Sequence, residues 1–543
     1  MKAPSARPIS SFKVLVIDDQ QQMRQIIRES LYRLGIRNVV MAGNAREALK
    51  AMQGDNVDVV LSDYHLGEGT DGQQLLEVAR STNVLNPTAP WIFITANSLR
   101  NDVLAAGDFA PDGYIVKPFN DQLLCRSIET LTARKATLAP LLYAIDAKKW
   151  EEVLALAAGF IQRGDSLSVE GIKQRANALM KLGRFDDACA AYGDALQLHS
   201  ELPWARLGCA SALRASGRVD EARKALESLV ESQPEYASAY DALLEIAEEQ
   251  GDQDAALSIA RTVADIVPNA RRKFRLGSVA LDAGQADVAV KALEQAVAKN
   301  KGSVTRSHQE NVLLAQALFD NGDPKKALSV ATDAARQFPD DPAAQVLAKA
   351  VCAQVHQHNG NTAEAARLMG EVERALEGAM LGDANKLLIA KSALATGRLD
   401  LGQQLIGSVA RDNTDKPLML NAALRAAKGT PVESACQDLV ARAGADVQQA
   451  LQDLQRAKRE ADFVRAIEVG ETALAVSPAN FHIQIELCTL YLVAMGRAGR
   501  QPEHATRAED LLISLDRKHP NHSRVAAARK FYRERLASPV TTL

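Results

Sequence analysis

The chain has 543 residues, 47% hydrophobic but only 4% aromatic, with a mean hydropathy of −0.15 and a formal charge of −3. That length holds several domains or a long repeat array, and an aromatic-poor, alanine-rich composition favours close-packed helices. Residues 1–135 carry 15 basic and 15 acidic side chains, so the cationic excess needed to bind a phosphate backbone is missing and nucleic acid is excluded as an expected partner. No apolar run reaches the ~18 residues of a spanning helix, so membrane insertion is not expected. The opening MKAPSARPISSF lacks a signal-peptide core and reads as a disordered lead over residues 1–11. Cys125, Cys189, Cys209, Cys352, Cys436 and Cys488 have no CxxC or metal-type spacing and are expected to be reduced core thiols of a cytoplasmic protein.

In chain order, KVLVI (Lys13–Ile17) reads as a strand. Residues 20–34 follow with Met23, Ile26, Ile27, Leu31 and Leu34 at helical spacing. VVMA (Val39–Ala42) is a second strand, and Asn44 with Glu47 forms a capping box for the next helix. DVVL (Asp58–Leu61), WIFIT (Trp91–Thr95) and GYIV (Gly113–Val116) are strands three to five. They are followed by helical patterns in GQQLLEVARS, in Leu99–Gly107 and in residues 121–134. Five strands each followed by a helix imply a doubly wound parallel sheet, whose functional crevice lies beyond the carboxyl ends of the strands.

Those ends carry Asp18 and Asp19 after strand one, Asp63 after strand three, Thr95 at the end of strand four and Lys117–Pro118 after strand five. Three neighbouring carboxylates repel one another, and a divalent cation relieves this. Oxygen ligands favour Mg2+. A carboxylate beside Mg2+ can attack phosphorus and form an aspartyl-phosphate, with a lysine stabilising the transferred group. A hydroxyl opposite can then sense the new phosphate.

The motifs VIDDQ, LSDYHLGEGTDG, FITA and YIVKPF identify residues 12–135 as resembling the receiver domain of bacterial two-component response regulators. The resemblance implies a flavodoxin-like (βα)5 fold with strand order 2-1-3-4-5. It implies that Asp63 is the phosphoacceptor and that Mg2+ is held by Asp19, Asp63 and the backbone carbonyl of His65, with Asp18 acting through water. Thr95 and Tyr114 would be switch residues, Lys117 would pair with the phosphate, and the Lys117–Pro118 bond would be cis. In the family, the positions of His65 and Asn97 modulate phosphate lifetime. One departure stands out: Gly67 replaces the proline often found four residues after the acceptor, in a loop one residue longer.

From Leu138 the strand pattern ends and turn glycines recur at 183, 217, 251 and 284, then at 322, 360 and 397; the intervals are 34, 34 and 33, then 38, 38 and 37. A small residue follows five positions later, at Ala188, Ala222, Ala256, Ala289, Ala327 and Ala365. Prolines 234, 268 and 339 stand in phase where the second helix should stop. Glycine ends the first helix of a hairpin and alanine admits the second, so neighbouring hairpins must stack to bury a core. The unit Pro203–Pro234, with Trp204, Leu207, Gly217 and Ala222 in register, resembles the tetratricopeptide repeat (TPR). About ten hairpins are expected over residues 138–543, with a last one near Gly499–Pro520. Arg206, Arg214, Arg271, Arg272, Lys273 and Arg275 could offer charge to a groove ligand, or could be solvated.

No Walker loop, kinase lid, HExxH, GxSxG or phosphodonor histidine helix appears. The chain therefore reads as a non-enzyme beyond its own phosphorylation and dephosphorylation. The expected function is a phosphorylation-switched adaptor: a sensor histidine kinase supplies the phosphoryl group, and the TPR arm binds protein partners. The face of the fourth helix, fifth strand and fifth helix would grip or release that arm or form a homodimer. The alternative is a phosphate sink or a constitutive scaffold.

Overall fold

The computed structural model describes residues 7–537 except 55, 68, 97–109, 377–380, 498–501 and 520–521. Asn97 and the helix expected over Leu99–Gly107 lie outside the described residues. Within the lead expected to be disordered, Ile9–Ser11 form one 3-10 turn, Phe12 is buried, and Arg7 pairs with Asp58 at 3.1 Å.

Strands β1 (Lys13–Ile17), β2 (Asn38–Ala42), β3 (Val59–Ser62), β4 (Trp91–Thr95) and β5 (Gly113–Val116) form one parallel sheet in the order β2-β1-β3-β4-β5. Alternate residues feed two cores, which is why the central strands read as unbroken apolar runs. Val14, Val16, Leu61, Ile92 and Ile94 pack under α1 (Gln21–Arg33) and α4 (Asp121–Asp146). Leu15, Ile17, Val60, Trp91 and Phe93 pack under α2 (Ala45–Gly54) and α3 (Gly72–Ser81).

Helix α4 does not stop near residue 134 but runs 26 residues to Asp146. The junction expected between 135 and 138 therefore falls inside one helix. Its first half gives Leu124 and Ile128 to the sheet, and its second half gives Leu138, Leu141 and Ala144 to the next helices. Between the halves, Lys135 pairs with Asp112 at 2.8 Å, Arg80 reaches the same carboxylate at 3.4 Å, and Arg134 pairs with Glu170 at 3.2 Å. Burial pushes the Lys135 pKa down, against the attraction of Asp112.

Beyond α4, helices α5 (Trp150–Gln162) to α25 (Ser523–Ala537) stack mainly as antiparallel hairpins among the described residues. The seven turn glycines have φ between 71° and 88°, the left-handed conformation that ends the first helix of each pair. Ala188, Ala222, Ala256, Ala289, Ala327 and Ala365 are fully buried where the second helix closes on the first. Two elements depart from the expected pattern: the short helix Pro417–Ala427 and the 27-residue helix Glu433–Arg459. The short one reaches back across the solenoid, where Arg425 Nη1 donates to Gln253 Oε1 at 3.2 Å, 172 residues away. Cys189 and Cys209 lie side by side with their Cα atoms 4.6 Å apart, while Cys436 and Cys488 are buried thiols.

Near the C-terminal end, His519 and His522 lie against the Phe481 ring, with centroids 4.6 and 4.3 Å away. Burial lowers both pKa values, His519 to about 4. The unfolded chain protonates these groups near 6.5 and the folded one only on further acidification. Their neutral burial therefore stabilises fully above that value, and the contribution is lost as pH falls towards 4. The protection of residues 481–537 against hydrogen exchange, corrected for the intrinsic exchange rate at each pH, is expected to fall between about pH 7.5 and about pH 5, and His519→Phe is expected to reduce that fall.

Candidate functional site

Because the strands are parallel, their carboxyl ends share one edge, and the structure brings Asp18, Asp63 and Lys117 into direct contact there. Lys117 Nζ lies 2.7 Å from Asp63 Oδ2 and 3.1 Å from Asp18 Oδ2. Asp18 is 1% exposed, and its other oxygen accepts from the Gln20 amide at 2.9 Å. Burial raises the Asp18 pKa, opposed by the Gln20 amide and by Lys117 and reinforced by the charge of Asp63. Burial also works against the Lys117 charge, but the hydrogen bond to Asp63 and the two carboxylates outweigh it and raise its pKa. Asp63 Oδ1 accepts from the His65 amide at 3.1 Å.

Asp19 is exposed beside this trio. Gly67, at φ 75°, passes so close that a Cβ there would sit 3.2 Å from Asp19 Oδ2. Thr95 is 3% exposed at the end of β4, in register with Val116. Tyr114 is half-buried, its ring 5.9 Å from that of Phe93 on the α2–α3 side of the sheet. The Lys117–Pro118 bond is cis. His65 is exposed at the edge, its ring 5.2 Å from that of Tyr64.

Three neighbours have no role assigned to them from the sequence. Arg24 Nη1 donates to the backbone carbonyls of Asp18 and Asp19 at 2.5 and 3.1 Å, holding the acidic pair from the first turn of α1. Gly72 packs on the loop after β3: a Cβ there would lie 2.4 Å from the Asp63 carbonyl oxygen and 2.8 Å from Phe93. Its amide donates to the Tyr64 carbonyl at 2.7 Å, and Asp71 with Gln74 forms a capping box that starts α3. The third neighbour is Thr70, which faces the solenoid rather than the carboxylates.

The donor set suits a hard cation. Among the described residues no group of three or more His, Cys, Asp or Glu is placed to hold a metal with side chains alone. Asp18 and Asp63 share Lys117, and Asp19 stands exposed beside them, so carboxylate oxygens gather at one edge. A cation that keeps several waters and needs few protein ligands, as Mg2+ does, fits that set.

The solenoid arginines are already paired. Arg214 bridges to Glu245 and Glu249, Arg275 to Glu248, and Arg272, only 2% exposed, to Asp241 at 2.7 Å. Lys273 pairs with Asp265 at 3.2 Å, Arg206 donates to Ser228 and Ser232, and exposed Arg271 stays 3.9 Å from Asp241. The contacts of Arg214, Arg272 and Arg275 join neighbouring repeats, and those of Arg206 stay within one hairpin.

The model of the response regulator receiver domain matches residues 14–129. Tetratricopeptide-repeat models match residues 179–247, 274–342 and 312–380. The chain is 33% identical over 122 residues to the chemotaxis protein CheY of Pseudomonas aeruginosa, covering 22% of this chain and 97% of that protein. It is 31% identical over 124 residues to CheY-3 of Vibrio cholerae, covering 23% and 94%. A receiver-domain crystal structure from Clostridium thermocellum is 27% identical over 23% of this chain and 98% of its own, with a TM-score of 0.21. No described helix is long and apolar enough to cross a membrane.

Proposed function

We propose, from the premise that this chain belongs to the response regulators with a receiver domain followed by tetratricopeptide repeats, that Asp63 accepts a phosphoryl group and that the repeats pass the change on to protein partners. The observation that carries this reading is Lys117 held between Asp63 and Asp18 at the carboxyl edge, with Asp19 alongside. We place the receiver over residues 12–135 and the repeats over 138–543, with α4 shared between them, and the whole acting in the cytoplasm.

In this reading Asp19, Asp63 and the His65 carbonyl hold Mg2+, with Asp18 acting through water. Bound there, Mg2+ would supply neutralisation of charge on the phosphoryl oxygens. An Asp63 oxygen attacks the phosphorus of a phosphohistidine on a sensor histidine kinase. The new O–P bond forms as the P–N bond breaks, and the departing imidazole takes a proton. Lys117 moves from carboxylate to phosphoryl oxygen, the Thr95 hydroxyl donates to another, and Tyr114 follows Thr95. Beside them Val116 and Leu123, 44% and 45% exposed, offer the surface on which a second copy or a partner would dock.

With acetyl phosphate and Mg2+, the full chain is expected to gain one hydroxylamine-labile phosphoryl group, read by intact mass, and to gain none after chelation of the metal. Absence of an adduct under saturating donor and Mg2+ would remove this reading. Capture of the same proteins by the phosphorylated and unphosphorylated chain would instead leave the repeats a constitutive scaffold.

A further inference from the structure

The receiver meets the repeats at a second place besides α4. The loop Asn300–Ser307 joins helix α13 (Ala286–Lys299) to helix α14 (His308–Asp320). Thr70 Oγ1 lies 3.1 Å from Ser303 Oγ and accepts from the Val304 amide at 2.8 Å. Thr70 and Ser303 are only 4% and 8% exposed. At Gly69, φ 108°, an added Cβ would lie 3.1 Å from the Gly302 carbonyl carbon, so the two backbones touch. From Ser303 a polar chain runs inward: to Thr305 Oγ1 at 2.8 Å, on to Asn300 Oδ1 at 3.0 Å, and from Asn300 Nδ2 to Glu310 Oε1 in α14 at 2.7 Å.

This joint is also where the repeat spacing changes. The joints after Leu198, Ser232 and Ile266 hold four, four and three residues, whereas this one holds eight. The added length accounts for the step from 33 to 38 residues between successive turn glycines. It lies where the solenoid touches the loop that carries Asp63.

We infer that the loop Asn300–Ser307 is an intramolecular latch on the acceptor loop, closed while Asp63 is unphosphorylated and released by its phosphorylation. The inference rests on the reading of Asp63 as phosphoacceptor. A phosphoryl group and a hydrated cation add atoms between Asp63, Asp19 and segment 64–67. Gly72 packs against the Asp63 carbonyl with no room for a Cβ between them, which limits how far the Asp63 backbone yields. Displacement therefore passes to the end of the loop flanked by Gly67 and Gly69, both at positive φ, where Thr70 holds the latch. Coupling is reciprocal: whatever phosphorylation does to the latch, opening the latch does to phosphorylation.

The test is hydrogen exchange of the full chain with and without Mg2+ and beryllofluoride, read on peptides that cover Val304. Exchange there is expected to rise at least about fivefold with the mimic. Thr70→Val and Ser303→Ala, on opposite sides of the contact, should each raise exchange without the mimic and speed acetyl phosphate labelling by a similar factor. Thr70→Ser keeps the hydroxyl and should behave as wild type. Labelling at Asp63 with unchanged exchange at Val304 would overturn the latch and leave the acceptor reading standing. Slower labelling in both loop variants would also overturn it. Failure to label at all would sink both.

Discussion

Asp63→Asn is expected to abolish the hydroxylamine-labile phosphate with any donor while leaving the fold intact. The amide keeps the shape of the carboxylate and can still accept from Lys117, but it is a poor nucleophile and a weaker ligand for a hard cation. Its charge also vanishes beside Asp18, whose pKa the charge of Asp63 helps to raise. Relieving that repulsion offsets the weaker bond to Lys117. The urea midpoint of the variant should therefore equal or slightly exceed that of wild type. The two readouts should separate, with chemistry lost to below detection and stability kept. An adduct of wild-type yield in the variant would move the site elsewhere.

Gly72→Ala tests the packing beneath the acceptor. Helix propensity alone predicts a gain of up to about 1 kcal/mol, because alanine outranks glycine in a helix. The surroundings predict the opposite. The new methyl would meet the Asp63 carbonyl oxygen at 2.4 Å, the Phe93 ring at 2.8 Å and the Tyr64 backbone at 3.1 Å. Two of these neighbours are main chain, and the ring is locked in a buried core, so relief requires the acceptor loop to shift. Overpacking of this kind costs about 1–3 kcal/mol. A lower urea midpoint at unchanged slope is expected, together with slower acetyl phosphate labelling as Asp63 is pushed away from Lys117 and Asp19. A stabilised variant with normal labelling would show that the loop yields freely, which would also remove the rigid backstop that the latch needs.

Much of the site was legible because it depends on alternation along the chain. Short unbroken apolar runs followed by helical spacing place each strand end. In a parallel sheet every such end lies on one edge, so Asp18, Asp19, Asp63, Thr95 and Lys117 could be gathered without coordinates. The hairpins were legible for a similar reason, since a left-handed glycine and a buried alanine are local requirements of two helices crossing closely. The roles of Arg24 and Gly72 were not legible, although Gly72 closes the motif LSDYHLGEGTDG. Each matters through a carbonyl that it touches, and a carbonyl has no residue type to read.

What the sequence by itself determined is therefore the set of local rules: strand, turn, cap, and the residue types that end each element. What only the tertiary structure decided is where separate units meet. Helix α4 looked finished near residue 134 because its apolar face changes direction there, yet the second half continues because Leu138 and Leu141 find the next helices. Thr70 and Ser303 stand 233 residues apart. Their contact depends on the summed curvature of several hairpins, to which each contributes only a small rotation that its own residues do not display.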